Sequence, residues 1–342
     1  MKPSPRSKLS RRGFIRSGLM VAGLTGIQAA RPAGKGTPNP YAYDVSAHEK
    51  TDPKLIRYRE VTRFKVPRDN SRRLSLAGEG RLAVAAGNSV LMLDDQGRLT
   101  SEIALQAPVR AVTRAGDGTL FVAVRDHIEV FNEQGQRQAV WESPGKKTWF
   151  TGLAVSETDV FAADSGQRVV LRYDHAGQVQ GRIGERDKAR GIPGFVLPSP
   201  YLDVKWHQDG LLRVNNPGRH RIEVYTPKGD LELSWGRASF AVQGFCGCCN
   251  PVAFALTSDG RHITCEKGLP RVKRYTAAGE FDGVVAGPES FPENARVGAG
   301  ETLADGTKSS LDAVVDARGR VFVLDTVVGD IRVHAPNEEG KL

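Results

Sequence analysis

The chain has 342 residues, 39% hydrophobic and 25% charged, which is enough apolar material for one large core and too much for a disordered chain. Its 38 glycines and 19 prolines follow no collagen-like period and call for many turns, which favours short strands over long helices. The formal charge of +9 suggests nucleic acid or an anionic membrane, but residues 1 to 35 hold eight Lys and Arg and no acid. About +1 is left for the rest, so neither partner is expected.

The run Ser10-Arg11-Arg12-Gly13-Phe14-Ile15-Arg16 precedes a modestly apolar, glycine-rich stretch from Ser17 to Ala30. It resembles the twin-arginine signal, whose paired guanidinium groups the translocase reads as an address while the weak apolar region avoids the ordinary secretory path. The resemblance implies that Arg11 and Arg12 engage the twin-arginine translocase, and that the chain is exported folded to the periplasm or the extracellular side. Gly18, Gly23, Thr25, Gly26 and Gln28 make the stretch short and polar for a stable membrane span, so cleavage near Ala30 is expected. No cysteine precedes Cys246, so no lipid anchor on an N-terminal cysteine is expected. Residues 31 to 53, rich in Pro, Gly, Thr and Lys, read as a flexible tether before a domain spanning 54 to 342.

Ile56 to Val66 alternates apolar and charged residues like a strand, and no neighbouring strand stands ready to pair with it. Two interleaved turn series follow. The first is Glu79-Gly80, Asp117-Gly118, Thr158-Asp159, Asp209-Gly210, Asp259-Gly260 and Arg318-Gly319; the second is Gln96-Gly97, Gln134-Gly135, Ala176-Gly177, Lys228-Gly229, Ala278-Gly279 and Glu339-Gly340. Both stretch together as one repeated unit would, and four short strands per unit, six times over, predict an all-β six-bladed propeller. The sixth unit lacks an outer strand. Ile56 to Val66 is expected to supply it, closing the ring without a raw sheet edge.

Asn216-Pro217-Gly218-Arg219-His220-Arg221-Ile222-Glu223-Val224-Tyr225, followed by Lys228-Gly229-Asp230, resembles the NHL repeat, with weaker copies at Phe161–Asp164 with Arg168–Tyr173 and at Phe322–Asp325 with Ile331–Val333. The resemblance covers most of residues 54 to 340 and implies the propeller fold. It leaves function open, since this fold hosts binding proteins, scaffolds and some lyases.

All four cysteines fall within 20 residues, Cys246, Cys248 and Cys249 in the connection from blade 4 to blade 5 and Cys265 at the end of the second strand of blade 5. Blade register places both positions on one face, so a cluster of four thiols is expected there. Two disulfides, a zinc or iron-sulfur site, and free or redox-active thiols are the competing readings. Folded export suits a cofactor inserted before transport, whereas the adjacency of Cys248 and Cys249 makes a tetrahedral cage awkward. His262 lies too far along its strand to join Cys265 as a ligand and reads as a packing or surface residue.

Asp164, Asn215, Glu266 and Asp325 end equivalent second strands and could form a polar ligand-binding ring at the channel mouth, or else cap turns. Trp141, Trp149, Trp206 and Trp235 are expected to pack between blades. Two long insertions, Arg186 to Pro200 and Pro288 to Ser310, should share a face with the cysteines. The leading expectation is an exported, non-catalytic binding or scaffold propeller using that face. A metal- or cluster-containing redox protein is the alternative, and a propeller lyase or hydrolase the third, weakened because the histidines do not recur at equivalent blade positions.

Overall fold

The computed structural model describes residues 45–78, 80–297 and 310–337; Arg11, Arg12 and the rest of the leader lie outside the described residues. The strands form six four-stranded antiparallel sheets, which are the six blades expected from the repeat. Burial falls from the innermost strand outwards. In blade 3, Phe150–Val155 is almost wholly buried, whereas Val179–Ile183 is mostly exposed. Apolar runs therefore occupy the inner positions and mixed polar runs the rim.

Blade 1 starts at Ser71–Leu76, and blades 2 to 6 start at Ala111–Arg114, Phe150–Val155, Val204–Trp206, Ala253–Leu256 and Leu311–Val315. These six innermost strands surround the axis. The outermost strand of blade 6 is Tyr58–Lys65, paired antiparallel with Asp330–Pro336 from Tyr58 opposite Pro336 to Lys65 opposite Asp330, with a bulge between Glu60 and Thr62. The ring thus closes by pairing the two ends of the domain, as the spare strand predicted, and no blade is left with a missing edge partner.

The core is divided among the blade seams. Six apolar clusters each draw on two neighbouring blades, such as Phe121 and Ile128 of blade 2 with Leu153 and Leu171 of blade 3. One contact recurs at these seams. The turn glycine before an outer strand accepts an apolar side chain from the outer strand of the preceding blade. A Cβ built at Gly177 would lie 2.5 Å from the Trp141 ring, one at Gly279 2.2 Å from Trp235, and one at Gly97 2.2 Å from Phe64. The periodic turn glycines therefore bring the blades together as well as permitting the turns.

Within the segment expected as a tether, Ser46–His48 and Pro53–Leu55 form short 3₁₀ turns against blade 5. Thr51 donates from its backbone N–H and its hydroxyl to the Glu289 carboxylate, and His48 stacks on Phe240 with ring centroids 6.2 Å apart. Of the second insertion, Pro288–Ser290 and Pro292–Val297 form a 3₁₀ turn and one short helix, and residues 298–309 lie outside the described residues. Among the described residues no helix is long and apolar enough to cross a membrane.

Candidate functional site: the axial cavity

The innermost strands of a propeller are expected to be apolar, yet three of them place charges on the axis. Arg73 lies mid-strand in blade 1, Asp203 and Lys205 flank Val204 in blade 4, and Asp312 is the second residue of the blade 6 inner strand. The Arg73 guanidinium donates to Asp312 at 3.0 Å and lies 3.7 Å from Asp203, and Lys205 Nζ donates to Asp203 at 2.9 Å. Both carboxylates are fully or almost fully buried. They also accept backbone N–H groups, from Leu74 onto Asp312 and from Val204 and Phe254 onto Asp203. Arg73 Nε reaches across the axis to the Thr151 carbonyl of blade 3 at 3.0 Å. Two cations and two anions from blades 1, 4 and 6 thus neutralise one another where isolated charge would be costly. Burial pushes the Asp312 carboxyl above its ordinary value, with Arg73 and Lys205 pulling it back. Gly152 completes the fit, because a Cβ there would come 2.8 Å from Asp203 Oδ1.

Arg73, Asp203 and Lys205 of this cluster line a cavity of about 270 Å³. Its walls are Leu74, Ser75, Val112, Thr113, Leu153, Val155, Trp206, Leu256 and Val315, with Arg114 among them. These residues run from mid-strand to the C-terminal ends of the inner strands, so the cavity faces the turns that connect inner to second strands. The cysteine loop joins an outer strand to the start of an inner strand and therefore sits at the opposite end of the axis. The sequence signal for this site is a charged residue interrupting an inner strand, at Arg73, Asp203, Lys205 and Asp312.

The four strand-end residues expected as a ligand-binding ring are fully buried and engaged within the protein. Asp164 accepts from the backbone of Trp149 and Gln167 and from the Gln167 amide. Asn215 bridges the Asp203 N–H to the Tyr201 and Pro251 carbonyls, tying blade 4 to blade 5. Asp325 accepts from Asn294 and from the Val327 N–H. Glu266 holds Arg271 at 3.0 Å and Lys273 at 2.7 Å and accepts the Cys246 N–H at 3.0 Å, so it anchors the cysteine loop. Buried Lys273, its ammonium lowered to about 8 chiefly by desolvation, donates onward to the carbonyls of Val242 and Gly244. None of the four lines the axial cavity.

The disulfide expectation is corrected: Cys246, Cys248, Cys249 and Cys265 are all free thiols. The four occupy three settings. Cys246 is buried beside Glu266, Arg271 and Lys273. Cys248 and Cys249 face each other with their sulfurs 3.2 Å apart. Cys265 is packed in the seam between blades 5 and 6, where burial pushes its thiol up and the axial charges of Asp312, Arg73, Asp203 and Lys205 act on it as well. Among the described residues no three His, Cys, Asp or Glu side chains converge as a metal site, so the four-thiol cage for zinc or an iron-sulfur cluster is not formed. The physical reason is packing: Cys265, at the end of the blade 5 second strand, is taken up by the apolar seam between blades 5 and 6, while Cys248 and Cys249 sit on the loop before blade 5.

His262 is buried, edge-on to Trp235 at 4.9 Å, and bonds the Thr276 carbonyl through Nδ1, a packing role as expected. Trp141, Trp206 and Trp235 pack between blades as expected, Trp206 stacking on Phe161 of blade 3 and also lining the cavity, whereas Trp149 lies beneath the guanidinium groups of Arg110 and Arg125.

No protein-family model and no curated protein matches the chain. Among solved structures it is similar to a streptogramin B lyase at 15% identity and a TM-score of 0.55, covering 81% of this chain and 98% of that one. It is also similar to a catalytically inactive virginiamycin B lyase from Staphylococcus aureus with quinupristin, at 12% identity and a TM-score of 0.53, covering 78% and 80%. A protein of unknown function from Bacteroides thetaiotaomicron aligns at 11% identity and a TM-score of 0.58, covering 85% and 74%. At these identities the likeness is one of fold alone.

Proposed function

We propose that the chain is exported through the twin-arginine route and acts as a non-catalytic propeller that binds one small polar molecule in its axial cavity. The observation that carries this reading is the convergence of Arg73, Asp203 and Lys205, with Asp312 paired behind Arg73, on a cavity of mixed polar and apolar lining. A few fixed polar groups set among apolar side chains are what orients a bound small molecule. Lys205, with 22% of its side chain exposed, is the most accessible member of the cluster, and its ammonium is the group that an incoming carboxylate or hydroxyl would meet. Export rests on the Ser10–Arg16 run alone.

The test is a thermal-shift survey with small carboxylic acids, amino acids and sugars, run in parallel on the natural chain and on Ser75→Trp, which places an indole in the cavity wall. The reading expects at least one compound to raise the melting temperature of the natural chain and to leave that of Ser75→Trp unchanged. Equal shifts in both proteins would place binding elsewhere.

A further inference from the structure

Phe245–Pro251 is a loop held at both ends by buried side chains. Phe245 is fully buried against Trp235 and Tyr275, with the Lys273 ammonium 4.5 Å from its ring centre. Asn250, also buried, donates to the carbonyls of Cys246 and Lys267 and accepts the Lys267 N–H at 2.9 Å. Glu266 holds the Cys246 N–H, and the His220 imidazole meets the Gly247 carbonyl at 2.5 Å. These bonds leave Gly247, Cys248 and Cys249 as a short arch. At its top the Cys248 and Cys249 sulfurs lie 3.2 Å apart, the first exposed and the second buried with its thiol toward the Ser199 hydroxyl at 3.6 Å.

We propose that Cys248 and Cys249 form a two-coordinate site for a single soft monovalent cation of the copper(I) class. Two observations select that chemistry. The donors are two thiols, and among the described residues no third His, Cys, Asp or Glu side chain joins them, which suits a digonal ion rather than tetrahedral zinc or an iron-sulfur cluster. The loop that carries the pair is held at both ends, so binding asks only that the two sulfurs turn apart from 3.2 Å to the span of two metal–sulfur bonds of ~2.3 Å each. In the binding step the ion arrives already monovalent, two S–metal bonds form, two protons leave to solvent, and no electrons are transferred. The exposed Cys248 sulfur is the point of entry, and buried Cys249 then closes the second bond. The site is independent of the axial cavity, because it uses neither the cavity's residues nor its end of the propeller.

The experiment uses the full chain, purified reduced and without oxygen, with copper(I) supplied through the chromophoric chelator bicinchoninate. The natural chain should withdraw one copper(I) per molecule. Cys248→Ser and Cys249→Ser should each withdraw none, with melting behaviour showing that both are folded, and Cys265→Ala should still withdraw one. X-ray absorption of the loaded protein should show two sulfur neighbours. The proposal is overturned if the natural chain leaves all copper on the chelator, if Cys248→Ser keeps stoichiometric copper, or if three or four sulfur neighbours are found.

Discussion

The guanidinium of Arg73 in blade 1 and the carboxylate of Asp312 in blade 6 meet at 3.0 Å, across the seam where the last blade abuts the first. This ion pair borders the cavity through Arg73 and belongs to the closure of the ring as well. Arg73→Met would strand Asp312 and Asp203 in the interior with one cation fewer, and truncating one partner of a buried pair costs about 3–5 kcal/mol. Urea unfolding should show a loss of that order. Arg73→Met with Asp312→Asn should recover much of it, because the uncompensated charge is then gone while the Leu74 N–H keeps an acceptor. A double variant no more stable than the single one would mean that the loss comes from packing.

Gly177 and Gly210 have similar left-handed φ values, +87° and +81°, but different surroundings: the Trp141 ring crowds the first, and the second has open space. Gly210→Ala should cost about 1 kcal/mol from backbone strain alone. Gly177→Ala should cost about 2–3 kcal/mol more, because Trp141 must leave its seam between blades 2 and 3. Equal losses would show that the indole contact contributes nothing to blade packing.

The Tyr58–Lys65 strand supplies an edge that blade 6 cannot make from its own end of the domain. Deleting residues 54 to 67 exposes the Asp330–Pro336 strand as an unpaired edge. Light scattering should reveal association, and thermal unfolding should begin earlier and lose cooperativity. A monomer with unchanged melting would refute closure by this strand.

Buried His262 and His334 have imidazoles lowered to about 4, chiefly by burial. Unfolded, each takes a proton near its ordinary value of about 6.5, so between that value and 4 the unfolded chain binds more protons and stability falls as pH falls. Each histidine should remove about 2 kcal/mol of stability between pH 7 and pH 5. Buried Asp312 and Asp325, raised above the ordinary carboxylate value, act in the opposite sense at the acid end of this range. Urea unfolding of His262→Phe at both pH values isolates one contribution. A pH response identical to that of the natural chain would contradict it.

The repeat made the fold legible because turn glycines and alternating strands are local features, each decided within a few residues. Ring closure was legible for the same reason: Ile56 to Val66 is plainly a strand, and the sixth unit plainly lacks one. The axial site was not, since Arg73, Asp203 and Asp312 are separated by more than a hundred residues at each step and meet only when six blades close. Blade register correctly put Cys265 and the loop cysteines in their elements. It could not say which way each thiol points, and that direction separates Cys265 from Cys248 and Cys249. For Asp164, Asn215, Glu266 and Asp325 the sequence left ligand binding and turn capping open, and in the structure all four are buried with partners inside the protein.

Small-molecule occupancy of the axial cavity is tested most directly by dialysing the natural chain and Ser75→Trp to equilibrium against the same pool of small metabolites, then identifying by mass spectrometry what each releases on denaturation. The account predicts one polar compound, released at close to one per chain from the natural protein and absent from Ser75→Trp. Equal release from both proteins, or no compound retained by the natural chain across pools covering acids, amino acids and sugars, would contradict it.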